Sequence, residues 1–250
     1  MTRALAALLA LSLLAGCGAG TGGGGWGWYV VSPWTEAGRS NLQFLIGGLW
    51  NTLALSGTAM AISILLGLLV ALPAIGTNPW GRRFNRLYVE LVRSVPLLVL
   101  ILWVYYGLPV VAGLTLSVFW AGVLALALSD SAFEAEIFRA GIEGVPKGQV
   151  EAAQTVGLSW AQTMRHVVLP QALRRILPPL GNQFVYMLKM SALVSIIGMQ
   201  ELTRRANELV VTEYRPLEIY TVLVLEYLVL ILLVSQAVRW LERRLDAGER

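Results

Sequence analysis

Five apolar runs, each long enough to cross a bilayer as a helix, constrain this chain more than anything else in it. They fall at residues 49–75, 87–111, 114–132, 178–199 and 217–238; the fourth is interrupted by Asn182 and Lys189, the fifth by Glu226. Backbone amides in hydrocarbon have no water to bond, so each segment is expected to be a helix that pairs its own amides. Composition points the same way. The 250 residues are 56% hydrophobic and 14% charged, where a soluble domain carries roughly 25% charge. Mean hydropathy is +0.66. The chain reads as an all-α membrane protein of about five transmembrane helices.

The cations set an expected orientation. Arg82, Arg83 and Arg86 lie between the first two runs, Arg139, Lys147, Arg165, Arg174 and Arg175 between the third and fourth, and Arg239, Arg243, Arg244 and Arg250 after the fifth. No Lys or Arg lies near Ala112-Gly113. The positive-inside rule puts the cation-rich segments in the cytoplasm, hence the N-terminus outside and the C-terminus inside. The 201–216 loop carries Arg204, Arg205 and Arg215 on the opposite side, offset by Glu201, Glu208 and Glu213.

The N-terminus agrees with that orientation. Residues 1–17 have a basic start at Arg3, an apolar stretch and a small-residue exit, as a secretory signal does. Leu14-Ala15-Gly16-Cys17 resembles a bacterial lipoprotein signal, in which Cys17 becomes the lipidated terminus. The alternative is an uncleaved apolar segment in which Cys17 is a small hydrophobe. Gly18–Gly27 is expected to be a flexible tether within an extracytoplasmic linker over 18–40, and Trp26, Trp28, Tyr29 and Trp34 suit a membrane–water interface.

Residues 133–177 form a long connection with its own helical pattern. Good helix formers cover Glu151–Val156, Gly157 interrupts them, and a second amphipathic piece over Trp160–Val168 runs up to Pro170. Such an element fits either a helix offered to a partner's groove or a helix lying on the inner leaflet. Gly157 is expected to end the first helix, where a positive φ or a tight approach to the partner is needed, and Glu151 to sit at its start against the helix dipole.

Several functions are excluded. With one Cys and one His (His166), the chain has no HExxH and no Cys-cluster metal site. Lys147 follows Pro146 and Lys189 follows Leu188, so no Gly-Lys-Ser/Thr phosphate loop exists. No internal repeat divides the chain into halves, which weighs against a stand-alone secondary amino-acid transporter.

The loop then carries a resemblance. Glu151-Ala152-Ala153, Gly157 and Leu169-Pro170 resemble the EAA loop of bacterial ABC-importer permeases. The segments 90–98, 136–142, 148–153 and 189–198, followed by Glu201-Leu202, are similar to the polar amino-acid branch of that family. The resemblance covers about residues 41–245. It implies a type I ABC-importer permease fold with a cytoplasmic coupling-helix loop over about 141–170, in the bacterial cytoplasmic (inner) membrane. It also implies no chemistry and no cofactor in this chain. ATP would be bound by a cytosolic ATPase that grips Gly148, Glu151, Ala152, Ala153, Gly157, Leu169 and Pro170. An extracytoplasmic amino-acid-binding protein would deliver substrate, and a second copy or a sister permease would complete the pathway. Nucleic acid has no role. Where the family usually has Asp or Asn, then Thr-Ser, after the lysine, this chain has Met190, Ser191 and Ala192.

Charge at membrane depth marks the other candidates. Lys189 reads either as the pathway wall or as a structural or snorkelling cation, with Glu226 as a possible pair. Asn182, Gln183 and Ser191 are expected to share its face. Glu201 reads as a gate or as a cap. Arg93 reads as an anchor paired with Glu90.

Overall fold

The computed structural model describes residues 26–75 and 78–246. The 1–17 signal segment with Cys17 lies outside the described residues, as does most of the glycine-rich stretch. After a 3₁₀ turn at Trp28–Val31 come α1 (Glu36–Ile46), α2 (Gly48–Ala71), α3 (Pro79–Arg93), α4 (Leu97–Ala112), α5 (Val118–Glu143) and α6 (Lys147–Thr155). The long α7 (Trp160–Ile197), α8 (Leu202–Glu213) and α9 (Pro216–Asp246) complete the chain. No strand occurs among the described residues. Four helical stretches are long and apolar enough to cross a membrane, and α3 with α4 makes a fifth, bent span.

The bundle is organised around α2 and α5, which pack along most of their length. Gly67 allows their close approach: a Cβ there would meet the Glu134 Cβ, the Ala135 amide nitrogen at 2.9 Å and the Ser131 carbonyl at 3.0 Å. Leu55, Ala59, Ile101, Ala121, Ala125, Leu126, Met187 and Val194 fill the core at mid-depth. A second cluster (Val70, Ala71, Val89, Ala135, Phe138, Val168, Ala172, Ile176) closes the end that carries α6. By contrast, α9 leaves most of its apolar surface uncovered, as a lipid-facing or partner-facing helix does.

Three boundaries differ from the sequence expectations. The 87–111 run is not one straight span: α3 and α4 meet at 88° across Ser94–Pro96. Pro96 supplies no amide and disfavours helix at Val95, while the Ser94 hydroxyl donates back to the Glu90 carbonyl at 2.6 Å. The 133–177 connection is far shorter than its apolar pattern implied. Helix α5 continues to Glu143, because Glu134, Glu136 and Arg139 end an apolar run without ending a helix. Helix α7 begins at Trp160, and a π-turn at Met164–Val168 carries it through Pro170 instead of stopping there. Pro178 and Pro179 likewise lie inside this helix.

The described part of the 18–40 linker is packed rather than free. Val30 and Val31 enter a small core with Leu45, Ala206, Leu209 and Ile219 at the end opposite α6. The Gly27 amide donates to Glu218 Oε1 at 2.5 Å, and Asn41 donates to the Val30 carbonyl and to Glu213.

Candidate functional site

Helix α6 ends in a Schellman arrangement. The Leu158 amide donates to the Ala153 carbonyl at 3.1 Å and the Gly157 amide to the Gln154 carbonyl at 3.0 Å. This closure requires the left-handed region, and Gly157 adopts φ 82°. Two residues on, Ser159 opens α7 with a capping box: its hydroxyl accepts from the Gln162 amide, and the Gln162 side chain accepts from the Ser159 amide at 2.9 Å. The loop is therefore a fixed helix–turn–helix corner.

Its surface is uncovered. Only Ala153 of the EAA triad is buried; Gly148, Glu151 and Ala152 are exposed. Val156 and Trp160, on either side of Gly157, are 77% and 69% exposed. Leu169 and Pro170 are exposed as well, in the first turn after the π-turn. Glu151 is the fifth residue of α6 rather than its start, so it does not face the helix N-terminus as expected. The helix begins earlier, with Pro146 at its N-cap and Lys147 as the first helical residue.

The membrane-depth residues divide. Asn182 and Lys189 are exposed on α7. Ser191 does not share their face: it is fully buried and donates to the Leu188 carbonyl at 2.8 Å. Two residues at about 100° each carry Ser191 to the opposite side of the helix from Lys189. Lys189 and Glu226 do not pair; both Glu226 oxygens are buried without a hydrogen-bond partner. Glu201 is fully buried and caps α8, accepting from the Thr203 amide at 2.9 Å, the Arg204 amide at 2.7 Å and the Tyr227 hydroxyl at 3.0 Å. Burial raises its carboxyl from the ordinary value, and these hydrogen bonds oppose the shift. Glu208 on the exposed face of α8 is lowered by hydrogen bonds from Gln200 and Arg204.

One polar cluster escaped the sequence reading. Asp130 on α5 accepts from Ser63 of α2 at 3.0 Å and from Gln183 of α7, so one carboxylate joins three helices. Asp130 also floors a narrow cleft walled by Ser129, Phe133, Tyr186 and Met190, next to Lys189 in sequence. One turn along α5, Glu134 is fully buried and neither of its oxygens has a hydrogen-bond partner. The signal was present: Asp130 interrupts the run that begins at Leu114, and Glu134, four residues on, follows its end. Arg93 does not pair with Glu90; its guanidinium lies 4.7 Å over the Phe133 ring.

Known proteins share this chain's sequence pattern and fold. Residues 63–247 match the family described as binding-protein-dependent transport system inner membrane component. The chain is 39% identical over 206 residues to a probable glutamine ABC transporter permease of Bacillus subtilis (strain 168), covering 82% of this chain and 95% of the relative. It is 35% identical to the arginine transport system permease ArtQ of the same organism, covering 83% and 95%. Among solved structures it is similar to an amino acid ABC transporter crystallised with histidines, at 42% identity and TM-score 0.77, covering 82% of this chain and 96% of the other. The fold also matches the MetNI methionine ABC transporter, at 23% identity and TM-score 0.71. The chain belongs to the family of binding-protein-dependent transport system inner membrane components.

Proposed function

We propose that this chain is the transmembrane subunit of an ATP-driven, binding-protein-dependent importer of polar amino acids. The observation that carries the coupling role is the rigid α6–Gly157–α7 corner, which leaves Val156 and Trp160 uncovered. An amphipathic corner of this kind suits the groove of a soluble partner, here a cytosolic ATPase. Gly148, Glu151, Ala152, Leu169 and Pro170 extend the contact surface; the buried Ala153 holds it in place. With this corner in the cytoplasm, the end built from Trp28–Val31, α1 and α8 faces outward and receives the amino-acid-binding protein. A second copy or a sister permease completes the pathway.

Asn182 and Lys189 line that pathway, with Asp130 in the adjoining cleft. Lys189 suits a substrate carboxylate, and a cost of membrane burial is avoided when it faces an aqueous path. Ser191 and Glu201 act one layer back, fixing the 3₁₀ turn and the start of α8. A stand-alone carrier has no use for the exposed corner.

The test is purification of the tagged chain from its host in mild detergent. A soluble ATPase is expected to accompany the wild-type chain and to be lost from Gly157→Arg, with the variant still inserted in the membrane. A chain that purifies alone, or a Gly157→Arg variant that keeps the ATPase and transports normally, overturns the coupling role.

A further inference from the structure

A cavity of about 390 Å³ opens between α3 and the end of α5, at the end of the bundle that carries α6. Four arginines and three glutamates line it, over a floor that includes Ala74 and Val89. Arg139 is already engaged by Glu136 and Glu143, and Arg93 by the Phe133 ring. The Arg86 guanidinium and the Glu90 carboxylate, one turn apart on α3, have no ion pair among the described residues. The opposite face of α3 is a stripe of exposed Trp80, Phe84, Leu87 and Leu91. With that stripe in the lipid interface, the charged face turns away from the acyl chains.

We infer that this cavity is a second amino-acid site, facing the cytoplasm and separate from the Asn182–Lys189 path. The inference rests on the orientation proposed above. The charge of both signs on Arg86 and Glu90 fits a zwitterion, whose carboxylate meets Arg86 and whose ammonium meets Glu90. Glu90 beside Arg86 asks for an ammonium as well as a carboxylate, which phosphate and an anionic lipid headgroup do not supply. The volume lies within the range of roughly 300–1,000 Å³ usual for small-molecule sites. Only Gly144, Val145 and Pro146 separate Glu143, the last residue of α5, from α6. A ligand that competes for Glu136, Arg139 or Glu143 therefore acts on the coupling corner. Cargo accumulated in the cytoplasm binds here and slows further import.

The experiment uses the permease–ATPase complex with its binding protein in vesicles of defined lipid. Uptake of labelled L-glutamine and L-arginine is measured with and without the same amino acid preloaded at the cytoplasmic face. Each variant is read as its own ratio of preloaded to unloaded rate. Arg86→Ala and Glu90→Gln are expected to require about tenfold more preloaded amino acid for the same inhibition, the loss of one charge-assisted hydrogen bond. Binding of the labelled amino acids to the complex by equilibrium dialysis, without ATP, is expected to follow the same order. The inference is overturned if preloading has no effect on the wild type, or if Arg86→Ala and Glu90→Gln respond as it does. It is also overturned if phosphatidylethanolamine in the vesicles slows uptake by itself and preloaded amino acid adds nothing, which assigns the cavity to a zwitterionic headgroup. Each of these results leaves ATP-driven uptake in place, whereas failure of the importer reading appears as no ATP-driven uptake at all.

Discussion

Replacing Gly157 by Ala separates conformation from contact at the coupling corner. A Cβ at this position meets nothing within 4 Å, so Ala introduces no clash. The whole effect comes from φ 82°, where an L-residue with a Cβ costs about 1–2 kcal/mol. At about 1.4 kcal/mol per tenfold, the closed corner loses roughly 5- to 30-fold in population relative to a corner with α6 unwound at its end. Asn tolerates the left-handed region better than Ala and is expected to restore most of the loss. The assay is ATP hydrolysis by the reconstituted complex, stimulated by loaded binding protein and titrated with ATPase subunit. Gly157→Ala is expected to need several-fold more ATPase for half-maximal activity, with Gly157→Asn close to wild type and membrane insertion equal in all three. Equal titrations for Gly and Ala, or a loss in Asn as deep as in Ala, would refute the conformational argument.

Other changes probe the bundle. Gly67→Val forces α2 away from α5 against backbone atoms, and a loss of about 1–3 kcal/mol is expected as a lowered thermal midpoint in detergent. Asp130→Ala leaves the Ser63 hydroxyl and the Gln183 amide without their acceptor and is expected to cost about 1–3 kcal/mol, read in the same melt; an unchanged midpoint would show that the three-helix junction contributes nothing. Glu201→Ala removes the N-cap of α8 and is expected to cost about 0.5–2 kcal/mol, with faster proteolysis within 202–215.

Apolar run length located the spans, because the cost of bare amides in lipid leaves few alternatives to a helix. It misplaced their ends, because hydropathy stops where charge begins and helices do not: α5 continues eleven residues beyond Ala132. Pro96 broke a span as its chemistry requires, yet Pro170, Pro178 and Pro179 did not break α7. The π-turn before Pro170 and packing of the helix on α5 and α9 absorb their missing amides and crowding. Gly157 was legible because a left-handed closure favours glycine. The burial of Ser191 was legible too: at about 100° per residue it lies roughly 200° from Lys189 and roughly 180° from Asn182, on the opposite face of the helix, so the shared face expected for it was a misplacement. The Asp130 junction depends on Ser63 and Gln183, which lie 67 and 53 residues away in sequence and meet it only in the packed bundle.

The central claim is tested most directly by uptake of labelled L-glutamine and L-arginine into vesicles holding the complex. ATP is enclosed at the face bearing α6, and the binding protein is added at the other. Uptake is expected to require both ATP and the binding protein and to fall to background with Gly157→Arg. Uptake driven by an ion gradient in the absence of ATP and binding protein, unaffected by Gly157→Arg, would contradict it.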